Sequence, residues 1–243
     1  MPATKRRNRP PAYVLGIDGC RGGWAAVKLG FAGETGAFIA PDFAGLMAEA
    51  GRAAEAIMVD MPIGLADAGR RQCEKLARQK LTPGRTSSVF PSPRRPMLAF
   101  ATYAEANAWG KAQGCGLSKQ AWMIAPKIRE IDDAITPADQ ARLGEAHPEV
   151  AFTRLNGGRP CAHSKRTREG EAERLALLAC GGIENAEDLF AELKAAHGGM
   201  IGRDDVYDAC ALALTARARI DGTAWRLTDG ARDARGLVME IWG

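Results

Sequence analysis

Short apolar runs ending in acids, followed by segments of helical period, recur along this chain in the order of an α/β protein. Tyr13-Val-Leu-Gly-Ile leads into Asp18, Gly19-Cys-Arg-Gly-Gly follows, and Trp24-Ala-Ala-Val-Lys-Leu resumes extended chain. Three glycines able to take positive φ between two apolar runs predict a β-hairpin. A third strand is expected at 36–40. Asp42 is placed to cap a helix reaching about Gly51, because its carboxylate accepts from the free amides of a first turn. Residues 56–61 form a fourth strand that lacks polar alternation, as a strand buried on both faces does, and Pro62 with Gly64 stops it.

Beyond Asp60 the pattern changes. Helical stretches at 66–80, 102–113 and 118–135 surround the loop Val89-Phe-Pro-Ser-Pro-Arg-Arg-Pro, so 65–137 reads as a helical insertion after the fourth strand. Residues 144–155 look extended, which would put Glu145, His147 and Glu149 on one face, with Pro148 at an edge or bulge. Helices are expected at 167–180, 186–197 and 203–220, and strand-like pieces at 225–228 and 237–241. The sum is one domain over 12–243, preceded by a disordered basic tail at 1–11.

Composition narrows this reading only a little. The 243 residues are 46% hydrophobic, enough for a buried core. No apolar stretch reaches the roughly 20 residues needed to cross a bilayer, so no membrane partner is expected. The 6 cysteines are scattered without a Cys-x-x-Cys, which predicts free thiols and a reducing compartment, the cytoplasm. A net charge of +4 suits a polyanionic partner without requiring one. Its distribution says more: Arg70, Arg71, Lys75, Arg78, Lys80, Arg85, Arg94 and Arg95 face only Glu74 in that stretch. Such a segment either neutralises phosphates or forms a solvated face. The paired arginines of the proline-rich loop would suit closure over a phosphate.

Candidate chemistry rests on four acids. Asp18 and Asp60 end apolar strands, where a carboxylate costs stability unless something pairs with it; a metal is one such partner and Arg21 is another. Asp205 and Asp208 are three apart at the start of a helical run, so their carboxylates share a face and suit the positive end of the helix dipole. Asp204 is expected to cap that helix. Singly, all four are ordinary strand-end and helix-start residues. Together, an oxygen-only set favours Mg²⁺ or Mn²⁺ over zinc. Glu149, with Glu145 and His147, either lines the site or pairs with Lys127, Arg129 or Lys165. Lys165, Arg166 and Arg168 precede a helix, where they contact a phosphate backbone or serve as helix-entry charge. Lys127 and Glu130, one turn apart, are spaced for an intrahelical ion pair.

Five segments in order, Gly16-Ile-Asp-Gly-Cys-Arg-Gly-Gly-Trp, Val59-Asp-Met-Pro-Ile-Gly-Leu, His147-Pro-Glu-Val-Ala-Phe, Ser164-Lys-Arg-Thr-Arg-Glu-Gly and Asp204-Asp-Val-Tyr-Asp-Ala, resemble the bacterial domain-of-unknown-function 429 family. That resemblance implies a ribonuclease-H-like mixed sheet flanked by helices and a predicted nuclease activity. The arrangement also resembles Holliday-junction resolvases, which implies metal ligation by Asp18, Asp60, Asp205 and Asp208 and makes a homodimer the assembly to test. Asp60 stands where those resolvases carry Glu. Similarity of Pro126-Lys-Ile-Arg-Glu to a recurrent family segment brings Lys127 near the site. The expectation is therefore a Mg- or Mn-dependent nuclease acting on DNA or RNA. Asp18, Asp60, Asp205, Asp208 and Glu149 would be catalytic, and Arg21, Arg94, Lys127, Lys165 and Arg166 would bind substrate. An actin-like or sugar-kinase-like phosphotransferase, and a non-catalytic nucleic-acid or ligand-binding protein, remain as alternatives.

Overall fold

The computed structural model describes residues 12–243; the expected basic tail at 1–11 lies outside the described residues. The predicted hairpin is present as β1 (Tyr13–Cys20) and β2 (Gly23–Gly30), followed by β3 (Thr35–Ala40). Asp42 Oδ1 accepts from the Gly45 amide at 2.7 Å and caps α1 (Phe43–Leu46), which continues as a π-turn through Gly51. Then come β4 (Ala54–Val59), α2 (Gln72–Lys80), α3 (Tyr103–Ala112), α4 (Lys119–Met123), α5 (Ala125–Ala134) and β5 (Leu143–Glu145). The chain ends with α6 (Pro148–Leu155), α7 (Arg168–Cys180), α8 (Ala186–His197), α9 (Arg203–Ile220), β6 (Arg226–Leu227) and β7 (Ile241–Trp242).

Strand order in the main sheet is β3-β2-β1-β4-β5. The first three strands are antiparallel, while β4 runs parallel to both β1 and β5. This five-stranded mixed sheet flanked by helices is an α/β architecture compatible with the ribonuclease-H-like fold. Side-chain alternation divides its core. Val14, Val27 and Met58 face α6, α7, α8 and α9, whereas Leu15, Ile17, Ile57 and Val59 face α1 and α5. No helix among the described residues is long and apolar enough to cross a membrane.

Gly16 explains how the long helix reaches the sheet. A Cβ there would stand 2.0 Å from the Ala209 carbonyl oxygen and 2.1 Å from the Ala213 nitrogen, so α9 lies directly on the β1 backbone, the close approach that glycine in a strand permits. Gly16→Ala is expected to destabilise the protein by about 3 kcal/mol through overpacking. Urea unfolding with an unchanged midpoint would refute the close approach.

Four expected elements differ. The helix foreseen from residue 66 starts at Gln72, since the preceding segment is irregular and Arg71 is still extended. The stretch 118–135 is two helices broken at Ile124, with Pro126 in the first turn of α5, where its missing amide costs nothing. The extended segment at 144–155 is the main correction: the strand stops at Glu145, and Pro148 opens α6 after an extended His147 rather than marking a sheet edge. Glu145, His147 and Glu149 therefore do not share a strand face. At the end of the chain, 237–241 contributes only Ile241 to β7.

Candidate active site at the carboxyl end of the central strands

Register alone brings the first two acids together. Ile17 of β1 pairs with Val59 of β4, and the Asp60 amide donates to the Ile17 carbonyl at 2.9 Å. Asp18 and Asp60 thus leave adjacent parallel strands at the same edge, and Glu145, paired through Val59, ends the third. Outside the carboxyl ends of strands is where open α/β sheets bind ligands. The α9 contact at Gly16 sets Asp208 over this edge, and a cavity of about 390 Å³ opens there, with Asp18, Asp60, Asp208, His147, Glu149 and Lys165 on its walls.

Asp205 differs from its neighbours. Its Oδ2 accepts from the Gly202 amide at 2.8 Å, so it is Asp205, and not Asp204, that ties down the start of α9. Asp204 is mostly exposed and stands 3.4 Å from Lys165. Asp205 does not line the cavity, though its charge reaches Asp18.

The electrostatics are those of crowded buried acids. Burial, then Asp60, Asp208 and Asp205, push the Asp18 carboxyl well above the usual carboxylate range. Burial and Asp208 raise Asp60 to about 7. Burial raises Asp205 to about 6 against the Gly202 hydrogen bond, and burial raises Asp208 against the opposing pull of Lys165. Lys165 Nζ donates to Asp208 Oδ2 at 2.7 Å. Burial pulls the ammonium down, but Asp208 overrides it and holds the charge on. Its loop is set by a second close approach: a Cβ at Gly170 would stand 1.9 Å from the Ser164 carbonyl oxygen.

Glu149 Oε1 pairs with the buried Arg174 Nη2 at 2.5 Å, and its Oε2 is buried without a hydrogen-bond partner among the described residues. Glu145 is held by Arg71 and by the Ile63 amide at 2.8 Å. Neither acid uses Lys127, Arg129 or Lys165. His147 Nε2 lies 3.3 Å from the Ser88 carbonyl oxygen, and burial lowers its pKa.

The expected substrate-binding residues separate. Lys165 and Arg166 line the cavity. Arg94 is buried elsewhere, donating to the Gly69 and Gln113 carbonyls at 3.1 Å each, and Arg21 is an exposed residue of the hairpin turn outside the cavity walls. Lys127 donates to the Gly23 carbonyl and covers the Trp24 ring at 4.5 Å, while Glu130 accepts from Trp24 Nε1 at 2.8 Å and from the Phe43 amide. Lys127 and Glu130 therefore brace the β1–β2 hairpin that carries Asp18, in place of the intrahelical pair their spacing suggested. Phe90 and Gln120, which the sequence reading did not single out, and Arg85, which it named only within the basic run, come to the cavity from the segment between β4 and β5.

Among the described residues, no three His, Cys, Asp or Glu side chains already stand at metal-ligand spacing. The chemistry of the donor set nevertheless fits a hard divalent cation. Its donors are all carboxylate oxygens, and burial first, with the neighbouring carboxylates second, raises their pKa values, so a bound cation would favour their charged forms.

A pH dependence follows. Unfolded Asp titrates near about 4, so between about pH 4 and 7 the native state keeps a proton on Asp60 that the unfolded chain has lost. That contribution is full below about pH 4 and disappears as pH rises through about 7. In chelator, the wild type should lose stability relative to Asp60→Asn across this window. Parallel Tm profiles for the two proteins would refute the shift.

No curated protein and no solved structure matches the chain. A sequence profile of the family described as "Protein of unknown function (DUF429)" does, over residues 16–232, and with nearly its whole length matched the chain belongs to that family.

Proposed function

We propose that this protein is a metal-dependent nuclease that hydrolyses phosphodiester bonds of DNA or RNA. The observation that carries the reading is the convergence of Asp18, Asp60 and Asp208, from two strands and a helix distant in sequence, on one cavity whose remaining polar walls include Lys165 and Arg166. Carboxylates whose pKa values are raised by burial and by one another in a cleft are candidates for a functional site, and of the three only Asp208 is bonded to a basic side chain, Lys165.

Asp18, Asp60 and Asp208 would hold Mg²⁺ or Mn²⁺, with Asp205 adding charge from the rim. When bound, such an ion neutralises charge on the phosphate and makes water a stronger acid. Lys165 would hold the Asp208 carboxylate until a metal ion takes its place, and the freed ammonium would then bind a phosphate oxygen. Arg166, exposed at the mouth, binds a neighbouring phosphate. Glu149, anchored through Oε1 by Arg174, offers Oε2 as the acceptor that orients the attacking water. The six cysteines are all free, which suits the cytoplasm as the place of this reaction.

The test is cleavage of labelled DNA and RNA by purified protein with Mn²⁺ or Mg²⁺. The reading predicts cleavage by the wild type and none by Asp18→Asn; cleavage retained in both Asp18→Asn and Asp208→Asn would remove it.

A further inference from the structure

The cavity is shaped by the segment between β4 and β5 as much as by the sheet. Arg85, Ser88, Val89 and Phe90 line the cavity together with Asp18 and Asp60. That wall is fixed in place. Arg78 Nε donates to the Val89 carbonyl at 2.8 Å, Glu74 accepts from the Ser92 amide and hydroxyl at 3.0 and 2.6 Å, and Ser88 faces His147 Nε2. Arg85 goes further: its Nε donates to the Cys161 carbonyl at 3.0 Å. This bond straps the wall to the segment leading into Lys165.

A second cavity of about 480 Å³ shares Lys165, Arg166 and Asp208 as walls with the first. Its walls add Arg168, Arg174, Arg203 and Tyr207, with Glu171 and Asp204 as further acids, and Arg203 is paired with Glu171 at 2.6 Å. Arg174 is only 2% exposed, and its Nε has no partner among the described residues. Basic side chains outnumber acidic ones along this second cavity, the reverse of the balance over the acids of the first.

Resting on the nuclease reading, we propose that the substrate is an unpaired strand: a single nucleotide enters the first cavity, its base against Phe90, while the following phosphates cross the basic second cavity. A space of this size suits one nucleotide removed from its stack, as enzymes acting on flipped or single-stranded nucleotides require. Phe90, half-buried and packed against the small core of Met97, Ala106, Leu117 and Ala121, offers a π-face that accepts any base. A continuous duplex reaches the acids only after the Arg85 strap has opened.

The experiment compares one labelled oligonucleotide, single-stranded and annealed to its complement. Binding is read by fluorescence anisotropy in Ca²⁺ and cleavage in Mn²⁺. The single strand should be bound and cleaved about tenfold better or more than the duplex, and Arg85→Ala should narrow that difference. Phe90→Ala should weaken single-strand binding by about five- to a hundredfold, with Phe90→Tyr restoring it. A nucleoside monophosphate should compete only weakly, because it leaves the second cavity empty. Equal handling of strand and duplex, an unaltered Phe90→Ala protein, or competition by the mononucleotide equal to that of the strand overturns this inference while cleavage itself persists. Absence of all binding and cleavage overturns the nuclease reading beneath it.

Discussion

Asp208→Asn should lower Mn²⁺-dependent cleavage by about a thousandfold or more and leave the protein folded. Asp208 is buried on α9 beside Lys165, and Asn keeps its size and an oxygen that accepts from the ammonium. What disappears is one negative charge facing Asp18 and Asp60. Because burial opposes ionisation at this position, losing the charge relieves the native state, and Lys165, whose side chain is 37% exposed, turns readily to solvent. The control is Asp204→Asn. Asp204 also pairs with Lys165, at 3.4 Å, but from the outside, and its loss should leave the initial rate near that of the wild type. Equal losses in the two variants would mean that Lys165, rather than the shared acid site, is what the substitutions disturb.

Glu145→Ala is expected to have the largest effect on stability, about 4 kcal/mol, from an uncompensated buried charge. Glu145 and Arg71 are paired with both side chains almost wholly out of water, and Glu145 also takes the Ile63 amide at 2.8 Å. Removing the acid leaves the Arg71 guanidinium with Glu74 at 3.7 Å and the Ile63 carbonyl at 3.2 Å. For a chain of this length such a loss lowers Tm by about 2–4 °C per kcal/mol. The double variant Arg71→Met/Glu145→Leu should recover most of it, since hydrophobic replacement of a whole buried pair is often neutral. A double variant as unstable as the single one would show that the pair matters for more than mutual neutralisation. Because both residues line the cavity of the acids, thermal scans and cleavage rates should be measured on the same samples.

What the sequence revealed, and what it hid, divides along physical lines. The hairpin carrying Asp18, the strand before Asp60 and the helix carrying Asp205 and Asp208 were legible because local signals agree there: apolar runs, turn glycines and helical period. Gly16 was visible within its motif, but only the packed structure reveals α9 as the reason for it. The stretch from Glu145 to Glu149 misled. Three polar residues at alternate positions imitate a strand, while Pro148 is equally at home in the first turn of a helix. Long-range partners stayed hidden because nothing in local spacing encodes them. Arg71 finds Glu145 and Arg174 finds Glu149 across folded distance, whereas Lys127 and Glu130, spaced to pair with each other, instead grip the hairpin. Arg94, expected to bind phosphate from its proline-rich loop, is spent on backbone carbonyls.

The same limit explains why Phe90 went unplaced and why Arg85 was read only as one of a run of basic residues. Their segment looks like a connection by composition, and its role as a wall depends on Arg85 reaching Cys161 and on Arg78 reaching Val89. The acids define where chemistry would occur; this wall defines what fits beside them.

The central claim is that Asp18, Asp60 and Asp208 act together as a divalent-cation site. Its most direct test is a crystal structure grown with Mn²⁺, using anomalous scattering to locate the ion. The account predicts a peak about 2 Å from oxygens of Asp18 and of Asp60 or Asp208, with Lys165 displaced from its 2.7 Å bond to Asp208. A fully occupied Mn²⁺ elsewhere on the chain, with these carboxylates bare and Lys165 still on Asp208, would contradict it.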